Sequence, residues 1–122
     1  MASRLPILSS PKRGEIWTAY LGGLGQQRHW VVIVSPDARN LSDRAHSVLI
    51  VPFSSSLAEG PTTLVLPPGE TGLPGPSCLR AHFITTIPKS QLIAREPRPL
   101  SDRRLRELCL LIRRSFDPDA PY

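Results

Sequence analysis

Two runs of apolar residues, Trp30–Val34 (WVVIV) and Val48–Val51 (VLIV), stand out from a chain whose pattern otherwise changes every few residues. Neither keeps a helical period and both are rich in β-branched side chains. Turn-forming Ser35-Pro36-Asp37 and polar Asn40–Asp43 lie between them, so the runs are expected to be buried strands joined by a loop. Upstream, Gly14–Leu21 alternates as a strand does, with Ile16, Thr18 and Tyr20 on one face and Trp17, Ala19 and Leu21 on the other. Trp17 is expected to anchor a core or an interface rather than to stack on a base, because aromatic rings bury large areas wherever they can.

Further along, Leu57–Pro61 is turn-like and Thr62–Leu66 reads as a short strand. Pro67–Pro76 is too rich in proline for a central strand and is expected to be an exposed loop. Ser77–Phe83 reads as a strand, in which Arg80 and His82, two residues apart, would share a face. Ile84–Ile87 continues extended until Pro88 closes it, and Ala94–Pro99 reads as a linker. Ser101 has the character of an N-cap and Asp102 suits the positive end of a helix dipole. Leu105, Leu108, Ile112 and Phe116 then recur near the helical period, and the helix is expected to end before Pro118. Arg103, Arg104, Arg106, Arg113 and Arg114 decorate it, read as a solvated basic face around the apolar stripe in preference to a direct RNA contact. Residues 1–11 lack a period and are expected to form a flexible arm; residues 12–116 form one domain, and 117–122 a tail.

Composition sharpens this picture. A chain of 122 residues supports one core, and fourteen prolines and eight glycines favour brief strands and turns over long helices. The net charge is +5, and thirteen of the fifteen basic residues are arginine. Guanidinium groups make bidentate phosphate contacts, which favours an anionic partner such as nucleic acid. Cys78 and Cys109 lack metal-site spacing and are expected to be a buried, reduced pair. Leu5–Leu8 is too short for a signal-peptide core and no window approaches the ~20 apolar residues of a membrane span, so a soluble, cytoplasmic protein is expected. The glycine-rich Gly22–Gln27 segment has neither a P-loop lysine nor Rossmann spacing, and suits a mobile connection.

The chemistry-bearing residues cluster at strand ends. Arg28 and His29 enter the first apolar run, Ser54, Ser55 and Ser56 leave the second, and Arg80 and His82 follow later; if the two runs pair, the flanking groups would face a common groove. No carboxylate pair, Ser-His-Asp spacing or metal cluster accompanies them. Such a set suits phosphodiester binding or metal-free RNA cleavage. Attack by the ribose 2′-hydroxyl needs a base, a cation for the phosphorane and an acid for the leaving 5′-oxygen, and arginine and imidazole supply these. A bland reading stands beside it, with His82 as a satisfied core histidine and Arg80 as a structural ion-pair partner.

KRGEIW at 12–17, RHWVVIVSPDARN at 28–40, VLIVPFSSS at 48–56 and GLPGPSCLRAHFITTI at 72–87 resemble, in this order, the MazF/PemK (Kid) toxin endoribonucleases of type II toxin-antitoxin pairs. The resemblance spans Lys12 to Phe116. It implies a mainly β fold, a small SH3-like β-barrel with a C-terminal α-helix, and a homodimer. The implied activity is that of an mRNA interferase, a sequence-specific endoribonuclease cutting single-stranded RNA to a 2′,3′-cyclic phosphate and a 5′-hydroxyl, with neither cofactor nor metal. An antitoxin with an acidic, amphipathic tail would occupy the same basic groove. Ser54 falls on the family's Thr/Ser position after the third strand. The family arginine aligns on His29, with Arg28 one residue earlier, and the proline that usually follows is Trp30. Arg80 matches an arginine that some members place on the later strand. His82 stands where the family usually has an acidic residue, and Thr85 replaces a common basic residue. The implied RNA-binding set is Gln26, Gln27, Ser55, Ser56 and Thr85. Two alternatives share the fold: a non-catalytic CcdB-like toxin that binds a protein such as DNA gyrase, and a catalytically dead RNA-binding barrel. The CcdB-like toxins rely on a tryptophan near the C-terminus, where this chain reads FDPDAPY.

Overall fold

The computed structural model describes residues 10–22 and 27–120. Seven strands and two helices follow one another as β1 (Ile16–Leu21), β2 (Gln27–Ile33), α1 (Asp37–Asn40), β3 (Ser47–Ser54), β4 (Thr63–Leu66), β5 (Ser77–Arg80), β6 (Thr85–Pro88), β7 (Leu92–Arg95) and α2 (Asp102–Phe116). All pairings are antiparallel, in the order β4-β5-β3-β2-β1-β7, with β6 also paired to β3. Among the described residues no ladder joins β4 to β7, so the sheet is strongly shared around β3 but not hydrogen-bonded into a closed barrel.

Alternation along the strands divides the apolar residues between two clusters. Trp17, Ala19, Val31, Ile33, Val48, Ile50 and Ile87 pack on one side. Val32, Val34, Val51, Leu64, Leu66, Leu79 and Ala81 pack on the other, where α2 covers them with Leu105 and Leu108. The alternation predicted for β1 holds, and Trp17 is a core residue, 5% exposed. Helix α2 begins as expected: the Ser101 hydroxyl accepts from the Arg104 amide at 3.2 Å, and the helix stops at Phe116. Phe116 departs from expectation. It is 73% exposed, whereas Leu105 and Leu108 of the same stripe are buried.

Three other expectations change. Ala94 and Arg95, expected to open a linker, instead end a strand, Leu92–Arg95, on the outer edge of β1, where the pattern is too short to show alternation. The connection after β2 contains one helical turn, held by a buried polar clamp. Within it the Asn40 amide donates to the Ser35 carbonyl at 2.8 Å and to Asp37 Oδ1 at 3.0 Å, and Asn40 Oδ1 accepts from the Ser35 hydroxyl. Ser35 Oγ in turn accepts from the Leu49 amide at 3.1 Å, which ties the clamp to β3. The Arg13 amide, donating at 2.7 Å, holds the Asp37 carboxyl below its ordinary range, despite an opposing desolvation. Lastly, the proline-rich loop is pinned. Thr71 and Leu73 are buried, and Glu70 receives two hydrogen bonds from the Arg104 guanidinium, at 2.6 and 3.2 Å. Arg104 is therefore an anchor and not part of a freely solvated face.

Gly14 shows why the chain begins β1 where it does. Its φ of +91° is costly for other residues, and a Cβ there would lie 3.3 Å from Leu105 Cδ2. Its amide and carbonyl bond Ile33 and Leu100, both at 2.8 Å, joining β2, β1 and the entry to α2. Pro11, expected in the arm, is buried, whereas residues 1–9 lie outside the described residues.

Candidate nucleic-acid interface

Strand β3 is the centre of the site because it pairs with β2 along one stretch and with β5 at its end. The β2–β3 ladder runs through Ile33↔Ile50, Val32↔Val51 and Val31↔Pro52; the β3–β5 ladder joins Phe53↔Leu79 and Ser54↔Cys78. Continuing the first register by two residues brings His29 abreast of Ser54. Paired residues share a face, and so do residues two apart along a strand. His29, Ser54, Cys78 and Arg80 therefore lie on one side of the sheet, while Arg28 and Trp30 lie on the other with Val32.

That register separates the two neighbours that the sequence placed in one groove. β1 and β2 pair without irregularity from Ile16↔Val32 to Leu21↔Gln27, leaving no slip that would turn Arg28 to Ser54's side. His29 is half-buried, and Arg28 is exposed with no hydrogen-bond partner among the described residues. Ser54 Oγ accepts from the Ser56 amide at 3.1 Å, which leaves the hydroxyl proton available to donate.

Arg80 lies between an aromatic ring and a thiol. Its guanidinium carbon sits 5.5 Å from the Phe83 ring centroid, and its charge acts on the buried Cys78 thiol. Burial raises the Cys78 thiol above its ordinary 9.0, with the Arg80 charge opposing. The sequence pattern carries this proximity, since Cys78 and Arg80 are two apart on a strand. Both cysteines are free; Cys78 is buried as expected, while Cys109 is half-buried and its Sγ lies 2.8 Å from an Arg13 guanidinium nitrogen.

His82 does not share Arg80's strand face, contrary to expectation. β5 ends at Arg80, and Ala81–Phe83 forms a tight 3₁₀ turn that breaks the two-residue repeat. The imidazole is exposed rather than in a core; its Nδ1 lies 2.7 Å from Thr62 Oγ1, and the ring meets Phe83 edge-on. Of the remaining residues, Ser55 and Ser56 are exposed just beyond β3, and Gln27 is exposed at the start of β2. Thr85 is exposed on β6 opposite Ile50, four residues along β3 from Ser54. Gln26 lies outside the described residues. Among the described residues no three His, Cys, Asp or Glu side chains converge as a metal site would need.

The sequence also gave no sign of a small cleft of about 90 Å³ beside Ser54, walled by Trp30, Phe53 and the 73–77 segment. Trp30 is 36% exposed, and its indole N–H donates to Glu96 Oε2 at 3.2 Å. Larger cavities, of about 420 and 500 Å³, open around His46 and the α1–β3 connection, away from this row of residues.

The sequence profile of the PemK-like, MazF-like toxins of type II toxin-antitoxin systems matches residues 12–116. The chain is 34% identical over 86 residues to a probable endoribonuclease MazF of Mycolicibacterium smegmatis, covering 69% of this chain and 77% of that protein. It is 28% identical over 107 residues to a probable endoribonuclease MazF5 of Mycobacterium tuberculosis, covering 88% of this chain and 94% of that one. In three dimensions it resembles an endoribonuclease solved in complex with its cognate antitoxin from a mycobacterial species, with a TM-score of 0.72 at 21% identity over 92% of this chain and 98% of that chain. A chain of a MazE–MazF crystal structure from Deinococcus radiodurans gives 0.67 at 19% identity, over 87% and 95%. These structural likenesses speak for the fold, and the sequence matches for descent: the chain belongs to the PemK-like, MazF-like toxins of type II toxin-antitoxin systems.

Proposed function

We propose that this toxin is a metal-independent endoribonuclease that cuts single-stranded RNA by attack of a 2′-hydroxyl on the adjacent phosphate, giving a 2′,3′-cyclic phosphate and a 5′-hydroxyl. The observation that carries the reading is the row across β2, β3 and β5, where Ser54 stands between His29 and the Cys78–Arg80 pair on one side of the sheet. In this scheme the Ser54 hydroxyl donates to a phosphate oxygen and the Arg80 guanidinium stabilises the charge of the phosphorane. The His29 imidazole takes the 2′-hydroxyl proton. His82, its Nδ1 engaged by Thr62, keeps Nε2 for the second proton transfer, to the leaving 5′-oxygen. Arg28, Gln26, Gln27, Ser55, Ser56 and Thr85 serve the flanking nucleotides.

The same reading includes a homodimer and a cognate antitoxin whose acidic tail competes with RNA for the basic surface. Support comes from the two relatives named as probable endoribonucleases and from the neighbour solved with its antitoxin. The decisive experiment incubates purified protein with a long unstructured RNA in excess EDTA and identifies the product ends. Cyclic phosphate and 5′-hydroxyl ends, with a matched DNA left intact, are expected, because only RNA carries the nucleophile. Dependence on added metal, or equal cutting of DNA, would refute the scheme.

A further inference from the structure

We infer that Trp30 is a nucleobase-stacking platform, and that the cleft beside Ser54 receives one unstacked base of a single-stranded RNA. The inference rests on the ribonuclease reading and deepens it by assigning a base subsite on the sheet side opposite His29.

Four observations converge on this side. Trp30 is more than one third exposed, and its one polar atom is already engaged by Glu96. Its indole therefore needs no further polar partner and can offer a π-face. The cleft it borders has apolar walls in Phe53 from the sheet and Leu73, Pro74 and Pro76 from the loop, with Ser54, Ser55 and Ser77 completing the lining at the end of β3. Arg28 lies on the same face as Trp30, two residues or roughly 7 Å along the strand, exposed and without a hydrogen-bond partner among the described residues. Tyr20 is abreast of Arg28 on β1, so aromatic and cationic groups interleave across neighbouring strands. A cation for the backbone and rings for the bases are the two components of single-strand binding, and stacking needs no particular base. The loop wall is fixed for this role, since Arg104 holds Glu70 and Arg98 donates to the Gly69 carbonyl at 3.0 Å.

The test uses the full chain and a short 2′-O-methyl RNA, which lacks the nucleophile and survives binding. An abasic oligonucleotide of equal length is the control. Tryptophan emission should be quenched by the base-bearing strand and not by the abasic one, and Trp17, being buried, gives a constant background. Trp30→Ala should weaken binding of the base-bearing strand about ten-fold and leave abasic binding unchanged, while Trp30→Phe, which keeps a ring, should retain most of the affinity. Equal affinity of wild type and Trp30→Ala would overturn the inference. So would a Phe variant as weak as the Ala variant, since the bond to Glu96 would then be what matters, or a parallel loss of abasic binding. Unchanged RNA affinity with weakened binding of an acidic peptide would assign the cleft to a protein partner and equally overturn it. RNA cleavage by wild type in EDTA is scored separately: if it persists, only the base subsite has failed, and if it is absent, the ribonuclease reading has failed.

Discussion

Replacing Asn40 by alanine removes the hub of the clamp that joins β2 to β3. Asn40 is 1% exposed and Ser35 fully buried, so water does not readily replace what is lost. The substitution leaves two buried groups without partners, the Ser35 carbonyl and the Ser35 hydroxyl proton. Asp37 keeps the Arg13 amide and Leu49 keeps Ser35 Oγ. Each orphaned group costs about 1–3 kcal/mol, and local relaxation recovers part of it, so the expected destabilisation is about 2–4 kcal/mol. Urea unfolding measures it. With a slope of about 1–3 kcal/mol/M, the midpoint should fall by roughly 0.7–4 M with the slope unchanged. Ser35→Ala removes the same hydroxyl, so the double variant should lose less than the sum of the two. RNA cleavage well below the transition should persist, because the clamp lies at the opposite end of the strands from Ser54. An unmoved midpoint would show that the clamp does not secure the fold, and additive losses would show that Ser35 and Asn40 do not act together.

Four further outcomes are expected. His29→Ala should lower the cleavage rate by about 10²–10⁴ with little change in RNA affinity; a fully active His29→Ala variant beside a dead Arg28→Ala variant would reassign the chemistry to arginine. Arg80→Ala should reduce the salt slope of RNA binding by about 0.7, and weaker binding at an unchanged slope would mean that Arg80 does not touch phosphate. The Arg104 hydrogen bonds hold the Glu70 carboxyl below its ordinary 4.5, so the folded state binds that proton less readily than the unfolded one; this contribution is present above pH 4.5 and lost as the pH falls through the folded value. Glu70→Gln should flatten that acid limb of an unfolding curve, and an unaltered limb would place its origin elsewhere. A non-cleavable RNA and the antitoxin tail should exclude one another, and a ternary complex would refute a shared surface.

The long elements were legible because burial writes a period into them. β1, the two branched runs and α2 with its Ser101 cap follow directly from alternation, β-branching and capping. β7 was not legible: four residues, half-exposed, next to two prolines, carry too little pattern to separate a strand from a linker. His82 was misplaced for a related reason, since the two-residue rule applies only while the strand lasts and nothing in LRAHF marks the tight turn after Arg80. The reading of Arg28 and His29 turned on register. Adjacent residues on a strand face opposite ways, and only the pairing of β2 with β3 shows which of them shares Ser54's side. The Trp30 cleft depends on a loop more than forty residues away in sequence, which no local pattern reports.

Strand β3 gives up one neighbour and gains another between Ile50 and Phe53, passing from β6 to β5 at Val51-Pro52, and proline has no N–H to contribute to a ladder at that point. Ser54, His29 and Arg80 are thus all referred to this one strand, His29 through β2 and Arg80 through β5. The molecule has its slack elsewhere, in the exposed 57–61 turn. Residues added or removed there alter only a loop, whereas one residue inserted into Ser47–Ser54 turns its hydroxyl to the far side and parts it from both partners at once. In this chain insertions are therefore borne by the loops, and β3 must keep its count.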